Sequence, residues 1–281
     1  MPDELKTWQD IEKEIIPIIS STISLMEEIL DSVVTNYMKN KRLYLFRTLC
    51  YGFLCVAHNN MAATLKLIES NLVDQINYIS RNSLEMLIIL HYIDNNDPKT
   101  RDSLTERFFH YSNVVAYRAM KVMDEYPDIF KNIRTKNNDL AIEMEFEHFK
   151  TNYYCKNIRD TYTWSGKTLN QMIGSLSNSE SRALLLLAYK SLLVSNNNFL
   201  HPSYSSLRHS IIQHHKQEVD YKKRVNQLES VHWSTRSIME KVLEQFSKGR
   251  ISFRHKLQDI IMEKRYIKEK STHLYLDECG P

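Results

Sequence analysis

The sequence predicts an all-α protein, a multi-helix bundle of roughly ten helices. Apolar residues recur at helical spacing along most of the 281-residue chain. Only 5 glycines and 6 prolines occur, so few turn positions are available to close a many-stranded sheet. A chain of this length can bury a sizeable core, as one large domain or as two closely packed ones.

Charge, terminal sequence and cysteine content limit the class of protein. The net charge of +3 is too small to indicate nucleic-acid binding by itself. The N-terminal MPDELKTWQDIEKE is acidic and amphipathic, unlike a signal peptide, and the longest apolar runs, 84–93 and 183–194, are too short to span a bilayer. The 4 cysteines show no C-x-x-C spacing. We therefore expect a cytoplasmic protein with reduced thiols and no membrane span.

Apolar spacing predicts four helices in the N-terminal half, with a break at Asp97-Pro98 between the third and the fourth. These helices cover 8–37, 42–70, 72–94 and 100–124. The polar stretch 125–140, EYPDIFKNIRTKNNDL, is predicted to be a loop and is the best candidate for a subdomain boundary.

The C-terminal half is predicted to contain shorter helices separated by polar segments. The sequence TWSGKT at 163–168 is predicted to be a second loop. Ser177 and Glu180 have capping-box spacing, which predicts the start of a strongly apolar helix there. The predicted helices cover 140–155, 178–200, 203–216, 218–247 and 251–269.

The stretch SNNNFLHPS at 195–203 places polar residues at the end of that apolar helix. On a helix, Asn197 and Asn198 lie four and three residues before His201, so each shares a face with it. Pro202 disfavours the α conformation at His201, which predicts that the helix ends there. Two interpretations stay open: the asparagines cap a helix end beside a buried histidine, or the cluster is a functional site.

Arg81 and Glu85 lie four residues apart inside the otherwise apolar helix NYISRNSLEMLIILHYI. Because a lone buried charge is costly, we expect the two side chains to pair, and we expect Glu85→Ala to cost about 3 kcal/mol. The pair either locks the register of the helix or holds Arg81 toward a phosphate or toward the His201 corner. Tyr92 lies two turns beyond Glu85 on the same face.

These motifs resemble those of a known family. The sequence RNSLE at 81–85 is followed by an apolar run ending in Tyr92, and His201-Pro202-Ser203 follows the segment that contains Tyr189, Leu192, Leu193 and Ser195. Together they resemble an uncharacterised family of all-helical prokaryotic proteins that is similar to HEPN domains (higher eukaryote and prokaryote nucleotide-binding). The resemblance covers roughly residues 40–215.

The resemblance implies a HEPN-like helical core at 41–216, between an N-terminal helical segment at 1–40 and a C-terminal extension at 217–281 with a basic helix and a tail. HEPN proteins are helical bundles, commonly dimeric, found in toxin–antitoxin, abortive-infection and other phage-defence systems. Many are metal-independent ribonucleases with an R-x(4–6)-H motif. In that chemistry the histidine transfers a proton and the arginine stabilises the charge on the phosphorane.

The chain departs from the HEPN motif at His201. The residues five to seven positions before His201 are Asn196, Ser195 and Val194, so no arginine stands at the required spacing. Downstream, Arg208 has this spacing to His214 and His215, and Arg250 has it to His255, although about two such matches are expected by chance. The resemblance therefore implies catalytic candidates and supporting residues without a metal ion or other cofactor. The catalytic candidates are His201, Arg208, His214 and Arg81, and the supporting residues are Glu85, Asn197, Asn198 and Tyr92.

Two functions from different classes follow as expectations. The first is a HEPN-like ribonuclease or toxin-type effector of a prokaryotic defence or stress system, with RNA as substrate, a homodimeric state and an antitoxin or defence-system protein as partner. In such a dimer, Arg208 with His214 or His215 would face the second copy and form a composite site. The second function is a non-catalytic helical module that binds a partner protein or a nucleotide.

A third hypothesis is a ferritin-like di-metal protein. Such bundles use two E-x-x-H motifs and a glutamate from each of two further helices. Glu145–His148 and Glu229–His232 have the E-x-x-H spacing, and Glu85 is a candidate for one further carboxylate. Residues 181–200 contain no acidic residue to supply the other, so this hypothesis ranks last.

Overall fold

The computed structural model describes residues 7–39, 45–130, 136–153, 164–190, 221–246, 253 and 255–260. Within these ranges the chain is helical and has no β-strand, which confirms the predicted all-α fold. The helices are α1 (Trp8–Lys39), α2 (Leu45–Glu69), α3 (Ile76–Asp94), α4 (Pro98–Glu125), α5 (Pro127–Phe130), α6 (Lys136–Tyr153), α7 (Leu169–Gly174), α8 (Ser179–Ala188) and α9 (Tyr221–Phe246), with a 3-10 turn at Val73–Gln75 before α3.

The chain forms two compact units. Met1–Leu90 and Asn178–Pro281 together make the first, the two-segment unit, and His91–Ser177 makes the second, the central unit. The predicted subdomain boundary at 125–140 is wrong, because α4, α5 and α6 all belong to the central unit. The stretch is also not a plain loop, since α5 lies within it and α6 begins at Lys136.

Helix α9 is the common packing partner in the two-segment unit, since it contacts both α1 and α2. The apolar residues that α9 buries recur at helical spacing and are almost completely inaccessible, and they form a stripe interrupted in its middle by buried His232, Ser234 and Thr235. They are Val225, Leu228, Val231, Ile238, Met239, Val242 and Leu243. Helix α1 contributes a matching stripe of Ile11, Ile15, Ile18, Ile19, Leu25, Met26 and Ile29.

The central unit is built on the pairing of α4 with α6. Val114 of α4 and Phe149 of α6 are fully buried, and the rings of Tyr117 and Phe146 stack with their centroids 3.8 Å apart. The predicted loop at TWSGKT is confirmed over its described residues, 164–168. A capping box follows it, in which the Thr168 hydroxyl accepts from the Gln171 backbone N–H and the Gln171 side chain accepts from the Thr168 N–H, and it starts α7.

The capping box predicted at Ser177 and Glu180 is wrong. The N-cap of α8 is Asn178, whose side-chain oxygen accepts from the Ser181 backbone N–H at 2.9 Å. Ser177 is used elsewhere, because its hydroxyl donates to Asn95 Oδ1 at 2.6 Å. The second half of the predicted helix 178–200 and the whole of the predicted helix 203–216 lie outside the described residues.

Two further expectations concern the state of the cysteines and the presence of a membrane-spanning helix. In the described part of the chain, Cys50 and Cys55 are not joined in a disulfide. Within the same residues, no helix has both the length and the apolarity that a bilayer crossing requires.

Candidate functional site

Helix α3 presents a polar face made of Tyr78, Arg81, Asn82 and Glu85, which we call the α3 polar face. These residues are three, four and seven positions apart, so they lie on one side of the helix. Tyr78 is 51% exposed, an unusual degree for an aromatic residue in a packed helix. The opposite side of α3 is anchored in the core by apolar residues that are nearly inaccessible, Leu84, Leu87 and Leu90.

Arg81 and Glu85 form the predicted ion pair. Arg81 Nε donates to Glu85 Oε1 at 2.8 Å. The expected burial of this pair is wrong, because the two side chains are 38% and 33% exposed. Their place on the helix explains the difference: they share the face of Tyr78 and Asn82 and not the face of the core leucines. The pair therefore holds a guanidinium in one orientation while solvent can reach it.

A polar contact from α2 fixes the middle of the α3 polar face. Asn60 Nδ2 donates to Asn82 Oδ1 and to Ser83 Oγ, both at 3.0 Å. Sequence reasoning missed Asn60 and Asn82. The available signal was the spacing of Asn82 from Tyr78 and Glu85, which places all three on one face.

A second polar contact sets the rotation of α3 against α9. Gln227 Nε2 donates to Asn77 Oδ1 at 2.6 Å, and Ser80 Oγ donates to Gln227 Oε1 at 3.1 Å. Asn77 and Ser80 are completely or almost completely buried. Buried hydrogen bonds of this kind are costly to break, so α3 has one preferred rotation and Arg81 one preferred direction.

The other predicted site residues are distributed as follows. Tyr92 is buried in the central unit, edge-on to Trp164 with ring centroids 6.0 Å apart, and Lys167 Nζ lies 5.0 Å from the Tyr92 ring centroid. These are the contacts of a packing residue. The remaining candidates lie outside the described residues. They are Asn197, Asn198, His201, Arg208, His214 and His215.

The residues of the di-metal hypothesis have other partners. Glu145 accepts from Asn113 Nδ2 at 3.1 Å, and it belongs with His148 to the central unit. Glu229 and His232 belong to the two-segment unit. Over the described ranges, no three His, Cys, Asp or Glu side chains are grouped closely enough to hold a metal ion.

His232 of the second E-x-x-H motif lies in the core between α9 and α1. It is fully buried, with Nε2 at 3.0 Å from Thr22 Oγ1. Thr22 Oγ1 also donates to the Ile18 carbonyl at 2.8 Å, so the contact ties α9 to α1 inside the core. We assign His232 to the packing of α1 against α9.

These observations define an all-helical protein of two compact units with an ordered polar face on α3. A sequence profile of a family of unknown function, DUF5677, matches residues 47–220, and the chain belongs to this family. No curated protein and no solved structure matches the chain. The matched range includes the α3 polar face and the segment that contains His201, whereas α1 and α9 lie outside it.

Proposed function

We propose that the chain is a HEPN-like, RNA-directed effector of a prokaryotic defence or stress system that cleaves RNA without a metal ion. The α3 polar face is the observation that carries the proposal. A guanidinium held in position by a carboxylate binds a phosphate with charge-assisted hydrogen bonds. Tyr78, exposed one turn before Arg81, offers a ring on which a base of single-stranded RNA stacks. Asn82 adds a hydrogen-bonding amide on the same face.

The proposed chemistry assigns one role to each group. His201 transfers a proton between the 2′-hydroxyl, the leaving oxygen and solvent, and Asn197 and Asn198 orient its ring. Arg208 with His214 forms a composite site across a homodimer, and its guanidinium stabilises the charge on the phosphorane. Arg81, positioned by Glu85, binds an RNA phosphate. We place this activity in the cytoplasm, and we expect an antitoxin or a defence-system protein as its partner.

Cleavage and RNA binding by the full-length protein test this proposal. A fluorescently labelled single-stranded RNA serves as probe for the wild type and for His201→Ala, Arg208→Ala, His214→Ala and Arg81→Ala. We expect cleavage that persists in EDTA and falls roughly 10²–10⁴-fold in a folded His201→Ala variant. Arg81→Ala should weaken binding of the RNA and lower the slope of log affinity against log salt by about one.

Arg236→Ala is the matched control for Arg81→Ala. Arg236 also lies four residues before a glutamate on a helix, with Nε 3.5 Å from Glu240 Oε1, but on α9 outside the family match. Equal RNA affinity of the two variants would show that the α3 polar face does not bind RNA. Binding without cleavage favours the non-catalytic module, and cleavage only with added metal contradicts the proposed chemistry. Unfolding of His201→Ala would assign the SNNNFLHPS corner a structural role.

A further inference from the structure

Helix α4 carries an apolar stripe that the protein leaves exposed. The stripe consists of Val115, Ala119, Val122 and Tyr126, the last being the C-cap residue of α4. Val115, Val122 and Tyr126 are 53%, 54% and 53% exposed, and Ala119 is exposed as well. The adjacent side of α4, which carries Val114, already packs on α6, so the stripe is a second apolar face of the same helix.

The spacing of the stripe separates it from scattered surface residues. Single exposed apolar side chains are common and need no explanation. Here the intervals are four, three and four residues, the alternation that a coiled-coil seam requires. A helix with such a seam packs against another helix with a similar seam.

We propose that the stripe on α4 binds the same stripe of a second copy of this chain, with the two α4 helices antiparallel. In this arrangement a single register gives every residue of the stripe a facing residue from the stripe of the second copy. Val115 faces Tyr126 of the second copy, and Ala119 faces its Val122. The two-fold axis repeats both pairs, so each small side chain meets a larger one.

The charges beside the stripe favour this partner and this direction. Arg118 and Glu125 are seven residues apart and flank the same edge of the stripe. Arg118 is half-buried, and its Nη1 donates to the Tyr111 hydroxyl of the same helix at 3.4 Å. In an antiparallel pair that edge lies along the same edge of the partner helix, so Arg118 of each copy lies near Glu125 of the other. In a parallel pair the edge would meet Ala116 and Met123, which offer no charge. Glu125 is exposed and forms no salt bridge among the described residues.

The oligomeric state of the full-length protein tests the proposal, which names a surface for the homodimer of the proposed function but does not depend on RNA cleavage. By sedimentation equilibrium we expect a dimer for the wild type and a folded monomer for Val122→Glu, which places two carboxylates in the seam. Met144→Glu is the matched control. Met144 is 66% exposed on α6 and lies off the stripe, so this variant should remain a dimer. A wild-type dimer that both variants weaken equally, or that neither variant weakens, overturns the α4 interface alone. A monomeric wild type overturns the homodimer of the proposed function as well.

Charge reversal tests the antiparallel arrangement. Arg118→Glu and Glu125→Arg should each raise the dissociation constant of the dimer roughly tenfold, because each change alters two symmetry-related exposed pairs. The double variant restores opposite charges and should return the constant toward that of the wild type. A double variant that dissociates as readily as the single ones contradicts the antiparallel pairing.

Discussion

Two Arg–Glu pairs in the two-segment unit differ strongly in environment. Glu12 of α1 and Arg224 of α9 are joined by a 2.5 Å contact, with side chains only 7% and 12% exposed. Arg81 and Glu85 form their hydrogen bond at the surface. Loss of one partner from a buried pair leaves an uncompensated charge in the core, whereas an exposed charge is solvated by water. We therefore expect the Glu12–Arg224 pair to make the contribution to stability that the sequence predicted for Arg81 and Glu85.

We predict that Glu12→Ala lowers the free energy of unfolding by about 3 kcal/mol. Glu85→Ala should lower it by about 1 kcal/mol or less, in place of the larger loss expected from the sequence. Urea denaturation followed by circular dichroism measures both values. Glu12→Gln serves as the control, because the amide still accepts a hydrogen bond from Arg224. Similar losses for Glu12→Ala and Glu85→Ala would contradict this assignment.

At the scale of single residues, helical spacing predicts which side chains contact each other but not whether the contact is buried. Arg81 and Glu85 are four residues apart, so their pairing follows from the geometry of one helix. Their exposure depends on which side of α3 faces the core, and the apolar residues on several sides of this helix made that ambiguous. Glu12 and Arg224 are separated by 212 positions, and nothing in the sequence relates them.

The helices themselves were predicted well where apolar spacing is long and regular. The predicted 8–37 and 218–247 correspond to α1 at Trp8–Lys39 and α9 at Tyr221–Phe246. Helix starts were less predictable, because a capping side chain can be drawn away by a distant partner. Ser177 has the right residue type and spacing for a cap, yet its hydroxyl binds Asn95, which is 82 positions away.

We predict that Asn178→Ala destabilises the start of α8 by about 1 kcal/mol, because it removes the acceptor for the Ser181 N–H. Glu180→Ala, which alters the other residue of the mistaken capping box, should change stability by less than about 0.5 kcal/mol. Hydrogen exchange at the Ser181 amide reads out the cap directly. Faster exchange in Glu180→Ala than in Asn178→Ala would restore the original capping assignment.

On the scale of the whole molecule, the family match and the compact units do not coincide. Residues 47–220 contain most of α2 and all of α3, but the two helices that pack on α2 in the two-segment unit, α1 and α9, lie outside the match. Periodicity predicted α9 as amphipathic, but periodicity cannot say which helices share its core. Tertiary packing decides which helices contact one another, and no local sequence pattern records it.

We predict that deletion of residues 221–281 abolishes cooperative unfolding of the two-segment unit. Each fully buried valine or leucine contributes about 1.5–3 kcal/mol, and α9 supplies seven large apolar side chains, so their loss exceeds the usual net stability of a domain. Circular dichroism and urea denaturation measure the effect. A chain that ends at Phe246 keeps α9 and is the control. An unchanged unfolding midpoint after removal of α9 would contradict the packing described above.

The division of one compact unit between two distant segments also has a consequence during synthesis. A ribosome releases α1 and α2 first, then the whole of the central unit, and only later α9. Until that point, the apolar surfaces of α1 and α2 that α9 covers have no permanent partner, whereas the central unit can already fold. During much of its translation, the nascent chain therefore exposes the apolar surfaces of α1 and α2 that α9 later covers. We expect its yield in a cell to depend on chaperones that bind such surfaces.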